Sequence, residues 1–468
     1  MDLIYKLGRI VGPLHVFREK KGGKYGSDWT RLYQFSPLAV VCPASATEVS
    51  DILKLANRDN IPVVPMSGNT SLAGGTFAEG GIVLSLERMN EIREVRSASR
   101  IAIVEAGVIL SNLHMAVDEH DLIFPMTFGA KGSAMIGGIL STNAGGSNVL
   151  KYGNTRDLCL GLEVVLPNGE IMDIMSELHK DNSGYNLKNL MIGAEGTLGI
   201  ITAAILKLSP KPKAEATAML ATRSLDEALH VLNRLQSATD GSVQAFEYMS
   251  GNYIDAFCER FPEKNAPFDA RYDTNIMVDL GSTMGAMCDA DTNGKTKLTE
   301  LLEQVLSEEY DRGAVIDAVV AQNEAQRQEM WDRRESAAEV TIMRRPIVAT
   351  DIAVPLDRLN TFVVEMEQRL QSIDPGGKSV NVAHLGDGNI HYTVWPVSEN
   401  IAVHSNIVEE VEELVQSLGG SFSAEHGIGL SKLPSMQRRK NDVAIQVMRQ
   451  IKSVIDPNNI LNAGKVVP

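Results

Sequence analysis

Two histidines, His384 and His391, bracket the segment His-Leu-Gly-Asp-Gly-Asn-Ile-His. Asp387-Gly388 has the composition of a two-residue hairpin loop, because Asp and Gly both tolerate positive φ. Val380–His384 and Ile390–Trp395 on either side read as strands. With that loop, Gly386 would pair with Asn389, Leu385 with Ile390, and His384 would sit directly opposite His391. Their Cβ atoms would then be roughly 4.5–5.5 Å apart on one face. Imidazoles so placed can share one divalent ion; two histidines that happen to flank a turn are the bland alternative. Against it stands a second cluster of ligand-type side chains, Ser423-Ala-Glu425-His426-Gly-Ile-Gly429, in the same C-terminal region. Neighbours in a regular strand point to opposite faces. Glu425 and His426 can therefore serve one site only where a strand breaks, and Gly427-Ile-Gly429 makes such a break plausible.

The elements that must position these residues belong to a long chain. At 468 residues it exceeds one ordinary core, so two or more domains are expected. A hydrophobic content of 44% with 22% charged residues is that of a soluble globular protein. No apolar run reaches the length of a membrane span, and the N-terminus does not read as a secretory signal. The net charge of −15 argues against nucleic acid as a partner, yet it permits a small anion gripped by one or two arginines. Cys42, Cys159, Cys258 and Cys288 are scattered without a C-x-x-C pair. They read as buried small hydrophobes in a reducing compartment, with the cytoplasm as the default.

Residues 36–62 read as strand, helix, strand, with Thr47 as the N-cap. Ile82–Leu86, Ile101–Val104 and Gly161–Glu170 are strand-like, the last containing a Pro167-Asn-Gly turn. Leu208–Lys213, with two prolines, is the best linker. Beyond it, helical patterns at 225–237, 297–308, 357–372 and 403–418 alternate with strand-like runs at 276–280, 347–354 and 380–395. That is an α+β arrangement with a sheet covered on one side. Glu409–Glu413 reads as a solvated helix face. The last polar loop, Ile455–Lys465, is placed to dock on the first domain.

Three glycine-rich stretches precede the linker. Pro65–Gly75 follows a strand and offers backbone N–H groups with the hydroxyls of Ser67, Thr70 and Ser71, a cradle for phosphate or a plain turn. It lacks the Gly-Lys-Ser/Thr of a P-loop, and no G-x-G-x-x-G follows the first strand, so ATP, GTP and Rossmann NAD sites are disfavoured. Gly129–Gly146 is richer in small residues, which lets backbone approach something flat and bulky, although Gly137-Gly138 could serve close packing alone. Gly193-Ala-Glu-Gly-Thr-Leu-Gly199 repeats the theme. Together they suggest an extended cofactor with a pyrophosphate and a planar ring.

Residues 36–213 resemble the flavin domain of the vanillyl-alcohol oxidase superfamily, and the closest match is its D-2-hydroxy-acid dehydrogenase branch. The matching runs are Ser67–Gly75, Gly129–Gly146, Lys180–Lys188, Gly193–Ile201, His384–His391 and Ser423–Gly429. The resemblance implies an α+β fold: a PCMH-type, two-subdomain FAD-binding domain over 1–213 (core about 36–213), an α+β substrate (cap) domain with an antiparallel sheet over 214–421, and a segment 422–468 packing back on the first domain. It implies FAD, with Ser67, Gly68, Asn69, Thr70 and Ser71 around the pyrophosphate. Thr127, Gly129, Gly132, Ser133, Gly138, Thr142, Asn143 and Gly145 would lie along the cofactor, and Ile201 near the adenine end. No His or Cys stands in the first loop, where some members attach flavin, so the FAD is expected to be non-covalent.

The resemblance further implies oxidation of a D-2-hydroxy acid to the 2-oxo acid, with hydride passing to FAD N5. A secondary hydroxyl is too weak an acid to ionise at neutral pH. A dication bound to it lowers its pKa, and a neutral histidine can then take the proton. His384, His391 and Glu425 are the expected metal ligands and His426 the base. Zn²⁺ is favoured over Mn²⁺ or Fe²⁺. Trp331-Asp-Arg-Arg-Glu335 matches the family's Trp-x-x-Arg-Glu, which makes Arg334 the carboxylate-binding arginine and leaves Arg333 free to be solvated. Where 2-hydroxyglutarate enzymes carry a lysine and a hydroxyl residue, this chain has Ala349 and Ala338. D-2-hydroxyglutarate, D-malate and D-lactate therefore remain candidate substrates. An external acceptor such as an electron-transfer flavoprotein or quinone and a homodimeric state complete the expectation. A flavin oxidase using O₂ and a metallohydrolase acting on a nucleotide-like substrate are the competing readings. The other histidines (His15, His114, His120, His179, His230, His404) are assigned surface or core-satisfied roles.

Overall fold

The computed structural model describes residues 2–292 and 294–468. Its first sheet holds β1 (Val16–Phe17), β2 (Ala39–Val41), β3 (Val63–Met66) and β4 (Ile82–Ser85) in the order β1-β2-β4-β3. β2 and β3 both run parallel to β4. The crossover between them is α1 (Ala46–Asp59), whose Val49, Ile52, Leu53 and Ala56 share a core with Val41, Val63, Ile82 and Leu84. The cap differs from the sequence expectation. Ser45, in extended conformation, accepts the N–H of Glu48 at 3.2 Å, while Glu48 accepts that of Ala44 at 2.7 Å. This reciprocal Ser-x-x-Glu unit starts the helix and leaves Thr47 inside its first turn.

A second, antiparallel sheet comprises β5 (Ile92–Arg96), β6 (Ile101–Glu105), β7 (Cys159–Val165), β8 (Ile171–Ile174) and β9 (Ile200–Lys207), ordered β5-β6-β9-β7-β8. Two short helices, α2 (Ile136–Thr142) and α3 (Val149–Tyr152), follow from the small-residue stretch. α2 buries Ile136, Ile139 and Leu140 with Val104, Val164 and Ile201.

The C-terminal half is built on one antiparallel sheet. Its main strands are β10 (Ala214–Thr222), β11 (Val243–Ser250), β12 (Thr274–Ser282), β13 (Val315–Val320), β14 (Val348–Ala353), β15 (Val382–His384) and β16 (Asn389–Trp395), ordered β13-β10-β12-β11-β15-β16-β14. One face is covered by α4 (Leu225–Ala238), α5 (Lys297–Asp311), α7 (Leu359–Ile373) and α8 (Ile401–Ser417), which bury Leu232, Leu302, Phe362 and Val411. The other face is not bare, as one-sided covering would require. Tyr253 and Phe257 of helix Gly251–Arg260, with Met330 and Trp331 of α6 (Glu324–Glu335), cover Met249, Met277 and Val382. Glu412 also departs from the expected solvated helix face. It is buried and bonded to Ser435, Arg438 and Arg439.

The final helix, α9 (Asp442–Ile455), lays Ile451 and Ile455 against the core of the second sheet. Leu461 then bridges to Val63. Cys42 and Cys159 are buried, whereas Cys258 and Cys288 are only half-buried. Among the described residues no helix is long and apolar enough to cross a membrane.

Candidate active site

Each histidine of the pair faces an acid across the sheet. Glu247 of β11 is registered opposite His384, and Asp351 of β14 opposite His391. The hairpin between the histidines is longer than the sequence suggests. His384 pairs with Asn389 and Val382 with His391, so Leu385–Gly388 form a four-residue loop. A two-residue turn with Asp387 and Gly388 at its centre needs positive φ at both; only Gly388, at φ +84°, adopts it. Leu385 is also unavailable to the hairpin ladder, its N–H donating to Phe246 O of β11 at 2.9 Å. The slip is by two residues, so the parity of the strand is kept and both histidines stay on one face. Their ring centroids are 5.5 Å apart, edge to face.

Around His384 the site is buried. Glu247 accepts from His384 Nδ1 at 2.9 Å and from Arg334 Nε at 2.8 Å. Arg334 Nη2 lies 3.4 Å from His384 Nε2. With Nδ1–H donated to a carboxylate, the neutral imidazole turns its Nε2 lone pair toward Arg334 Nη2, which donates to it; the same tautomer is the one a metal ligand needs. Burial works to lower the His384 pKa, but the Glu247 charge outweighs it and the net direction is upward. Arg333, expected to be solvated, is instead buried over the Phe257 ring and donates to Asn265 O at 3.1 Å. The two arginines leave α6 to opposite purposes, and only Arg334 faces the histidines.

Around His391 four ligand-type groups converge. Asp351, His391, Glu425 and His426 each present an atom within 4.8 Å of the others. His391 Nε2 is 3.3 Å and His426 Nε2 3.6 Å from Glu425 Oε1, and the two rings stack at 5.4 Å. Of the ligands expected from sequence, His391 and Glu425 belong to this group and His384 lies outside it; Asp351 and the expected base, His426, complete the group. Asp351 is the anchor. It accepts the backbone N–H groups of Glu425 and His426 at 3.1 and 2.9 Å, and its other oxygen accepts Asn389 Nδ2 at 2.9 Å. Lys432 Nζ sits 3.3 Å from it. Burial raises the Asp351 pKa, but His426, Lys432 and His391 outweigh that and hold it well below the carboxylate range. Burial likewise opposes ionisation of Glu425, and its bond to His391 and the surrounding charges still bring it to about 2. His426 is pushed the other way, below the ordinary imidazole range, mainly by burial. The Glu425–His426 segment is irregular backbone, followed by Gly427 and Gly429 at φ +74° and +50°.

The glycine stretches meet this cluster. A Cβ on Gly145 would lie 2.8 Å from Glu425 Oε2, and one on Gly68 would strike the Ser133 carbonyl, so the first two loops pack backbone to backbone. Gly138 closes on Ser67 in the same way, its Cβ position 3.2 Å from that side chain. Gly129 and Gly132, by contrast, face space with no atom within 4 Å of a Cβ. Asn69 is committed to the loop itself, donating to Ser27 O and accepting from Thr76, both at 2.8 Å. Thr142 Oγ1 donates to Gly138 O, and Asn143 caps α2 in the left-handed region. Thr127 receives the chain at Gly146, and Ile201 is buried in the second core. Thr70 and Ser71 are half-buried beside these loops. A surface of this kind, small residues around an uncrowded strip, fits a flat extended cofactor.

Residues 211–466 match the model of "FAD linked oxidases, C-terminal domain", and 37–175 that of "FAD binding domain". The chain belongs to the FAD-linked oxidase family. It is 33% identical to the D-2-hydroxyglutarate dehydrogenase of Xanthomonas citri pv. viticola, covering 94% of this chain and 92% of that one. It is 35% identical to the mitochondrial D-2-hydroxyglutarate dehydrogenase of Rattus norvegicus, covering 94% and 80%. Among solved structures, p-cresol methylhydroxylase shares the fold with a TM-score of 0.76 at 15% identity, over 99% of this chain and 96% of that one. The PCMH-type α+β architecture expected from sequence is thereby established, and the protein is an FAD-dependent oxidoreductase.

Sequence reading of this FAD-linked oxidase overlooked Glu247, Asn389 and Lys432. Glu247 is separated from His384 by 137 positions, and no local pattern announces it. Asn389 sits inside the hairpin motif and was legible as a polar residue on the histidines' face. The remaining histidines are satisfied locally where a partner exists, as with His114 on Met126 O at 2.9 Å and His404 on Ser398 O at 2.7 Å.

Proposed function

We propose that the protein oxidises a D-2-hydroxy acid to its 2-oxo acid, using non-covalent FAD and a divalent metal, and passes the electrons to an external acceptor such as an electron-transfer flavoprotein or a quinone. The observation that carries this reading is the contact of Glu425 with Gly145: the metal-type cluster lies against a loop of the flavin domain. The names of the relatives support a 2-hydroxy acid as substrate.

His384, through Nε2 in place of its contact with Arg334, with His391 and Glu425, would hold the metal, and Zn²⁺ suits two imidazoles and a carboxylate. Ser67–Ser71 and the strip from Thr127 to Gly145 would hold the FAD, with Ile201 toward the adenine end. When bound, the metal would acidify the substrate hydroxyl and the flavin would accept hydride. Arg334, oriented by Glu247, grips the substrate carboxylate. His426, kept neutral by its burial, takes the hydroxyl proton, and Asp351 holds its backbone in place. Ala349 lies two residues before Asp351 on the same strand face and is exposed, as is Ala338, so neither adds a cation for a distal carboxylate. The reading therefore commits to the D-2-hydroxy-acid class, from D-lactate through D-malate to D-2-hydroxyglutarate.

Anaerobic mixing of the purified protein with a panel of D- and L-2-hydroxy acids tests it. Bleaching of the flavin by a D-acid, abolished by chelator and restored by Zn²⁺, is the expected result. Protein without flavin absorbance would sink the reading, and rapid peroxide formation in air would favour an oxidase.

A further inference from the structure

The loop carrying Glu425 and His426 is held from the flavin side by one carboxylate. Glu195 stands in the third glycine stretch, Gly193–Gly199, with its backbone in the left-handed region at φ +50°. Its two oxygens accept consecutive backbone N–H groups, Ile428 at 2.7 Å and Gly429 at 2.8 Å. These donors come directly after Glu425-His426-Gly427. The approach is so close that a Cβ on Gly427 would lie 2.7 Å from Glu195 Oε1. A carboxylate that meets two adjacent N–H groups fixes the path of a loop as well as its distance, because both donors must point at it together.

Glu195 is itself anchored to cofactor elements. Its N–H donates to Ser141 O of α2 at 2.8 Å, next to Thr142 and Asn143. Its carbonyl accepts Asn462 Nδ2 at 2.7 Å. The same Asn462 amide reaches Gly75 O, in the first glycine stretch, at 3.2 Å. Further along the loop, the N–H groups of Leu430 and Ser431 both donate to Ala73 O, at 2.8 and 3.1 Å. All three glycine stretches therefore touch the 425–431 loop: Ala73 from the first, Gly145 from the second and Glu195 from the third. Only Glu195 does so with a charged side chain.

We propose that Glu195 is a positioning residue that locks the Glu425–His426 loop in register with the flavin loops, so that metal retention and proton transfer depend on it although it touches neither metal nor substrate. The proposal rests on the FAD- and metal-dependent reading of the site. Second contacts of this kind typically change metal affinity about 10–100-fold when removed. Gln at this position keeps one acceptor oxygen but turns an NH₂ group toward the second N–H. Asp keeps the charge but is one methylene short of bridging both donors.

The test compares FAD-loaded wild type with Glu195→Gln, using Zn²⁺ affinity by chelator competition, backbone amide exchange across 423–431, and flavin reduction. Zn²⁺ affinity is expected to fall roughly 10–100-fold at unchanged FAD content. Exchange at Ile428 and Gly429 should accelerate, and kcat should fall more than KM rises. Should Glu195→Gln fail to accumulate folded, Glu195→Asp provides the same readouts. Wild-type Zn²⁺ affinity and exchange in a variant that retains FAD would overturn the proposal. So would a lower Tm with an unchanged half-saturating Zn²⁺ concentration, which marks structural support alone. A wild-type protein that binds no FAD or no Zn²⁺ would overturn the underlying reading instead, and that result is visible before any variant is made.

Discussion

The Asp351 oxygen that lies 3.6 Å from His426 Nδ1 also accepts the backbone N–H of the same residue at 2.9 Å. One carboxylate thus fixes where the His426 backbone sits and lies close to its ring. It also holds the Glu425 backbone, whose N–H it accepts at 3.1 Å, and it faces His391 across the sheet. Asp351→Asn keeps the volume but loses the charge and one acceptor position. Metal affinity is expected to fall roughly 10–100-fold with flavin content unchanged. Chelator competition on the FAD-loaded protein measures it, and an unaltered affinity would show that Asp351 does not organise the site.

His426→Ala removes the group proposed to take the hydroxyl proton while leaving Glu425, Asp351 and His391 intact. Flavin reduction by the preferred acid should slow by about 10²–10⁴-fold, with FAD and metal still bound. Stopped-flow absorbance at saturating substrate is the measurement. A near-normal rate would remove His426 from the mechanism.

Much of this site was legible in the sequence, for reasons that also explain what was not. His384 and His391 share a face under either loop length, because a slip of two residues preserves strand parity. The length itself depends on Leu385 N–H finding Phe246 O on β11, a tertiary choice that no hairpin propensity contains. The break after Glu425-His426 was readable from Gly427 and Gly429. Glu195 was not, since its carboxylate meets Ile428 across 233 positions. Arg333 defeated the usual reading of paired arginines on a helix, because α6 is buried on the side of Phe257 as well as on that of Glu247. Thr47 was a reasonable cap by type; Ser45 takes the place because Glu48 reaches back from it.

Arg334→Lys keeps a cation beside Glu247 but gives up the planar fork that can hold a carboxylate with two parallel bonds. A hydrogen bond to a charged group contributes about 1.5–3 kcal/mol, so kcat/KM for the hydroxy acid should fall roughly 10–100-fold. The loss should appear mainly in KM if the carboxylate contact is equal in ground and transition states. Steady-state kinetics decide; an unchanged kcat/KM would place substrate recognition elsewhere.

Gly68 and Gly132 make opposite demands on an added methyl. At Gly68 it would strike the Ser133 carbonyl, whereas at Gly132 it meets no protein atom within 4 Å. Gly68→Ala should therefore disturb the packing of the two loops and lower both Tm and flavin content. Gly132→Ala should leave Tm of the flavin-free protein unchanged and lower flavin affinity, because the space it fills is open in the protein and is the proposed path of the cofactor. Flavin content by absorbance and melting curves distinguish the two. A Gly132→Ala protein with full flavin affinity would show that the cofactor does not pass there.

Lys465 offers a pH-dependent prediction away from the metal cluster. Its side chain is buried, donates to Asn462 Oδ1 at 2.6 Å, and has its pKa lowered from 10.5 to about 8, chiefly by burial, with Glu195 opposing. Below pH 8 the lysine is protonated in both folded and unfolded chains, and the folded state bears the full cost of burying the charge. Between about pH 8 and 10.5 the unfolded chain holds the proton more tightly, so stability from this group rises with pH. Lys465→Met has no such term, although it leaves Asn462 Oδ1 without its donor. Its stability relative to wild type should therefore decline by about 2 kcal/mol between pH 7.5 and 10, whatever the sign of the difference at pH 7.5. Paired denaturant titrations at the two pH values measure this, and a difference independent of pH would show that the Lys465 ammonium is not destabilised by its surroundings.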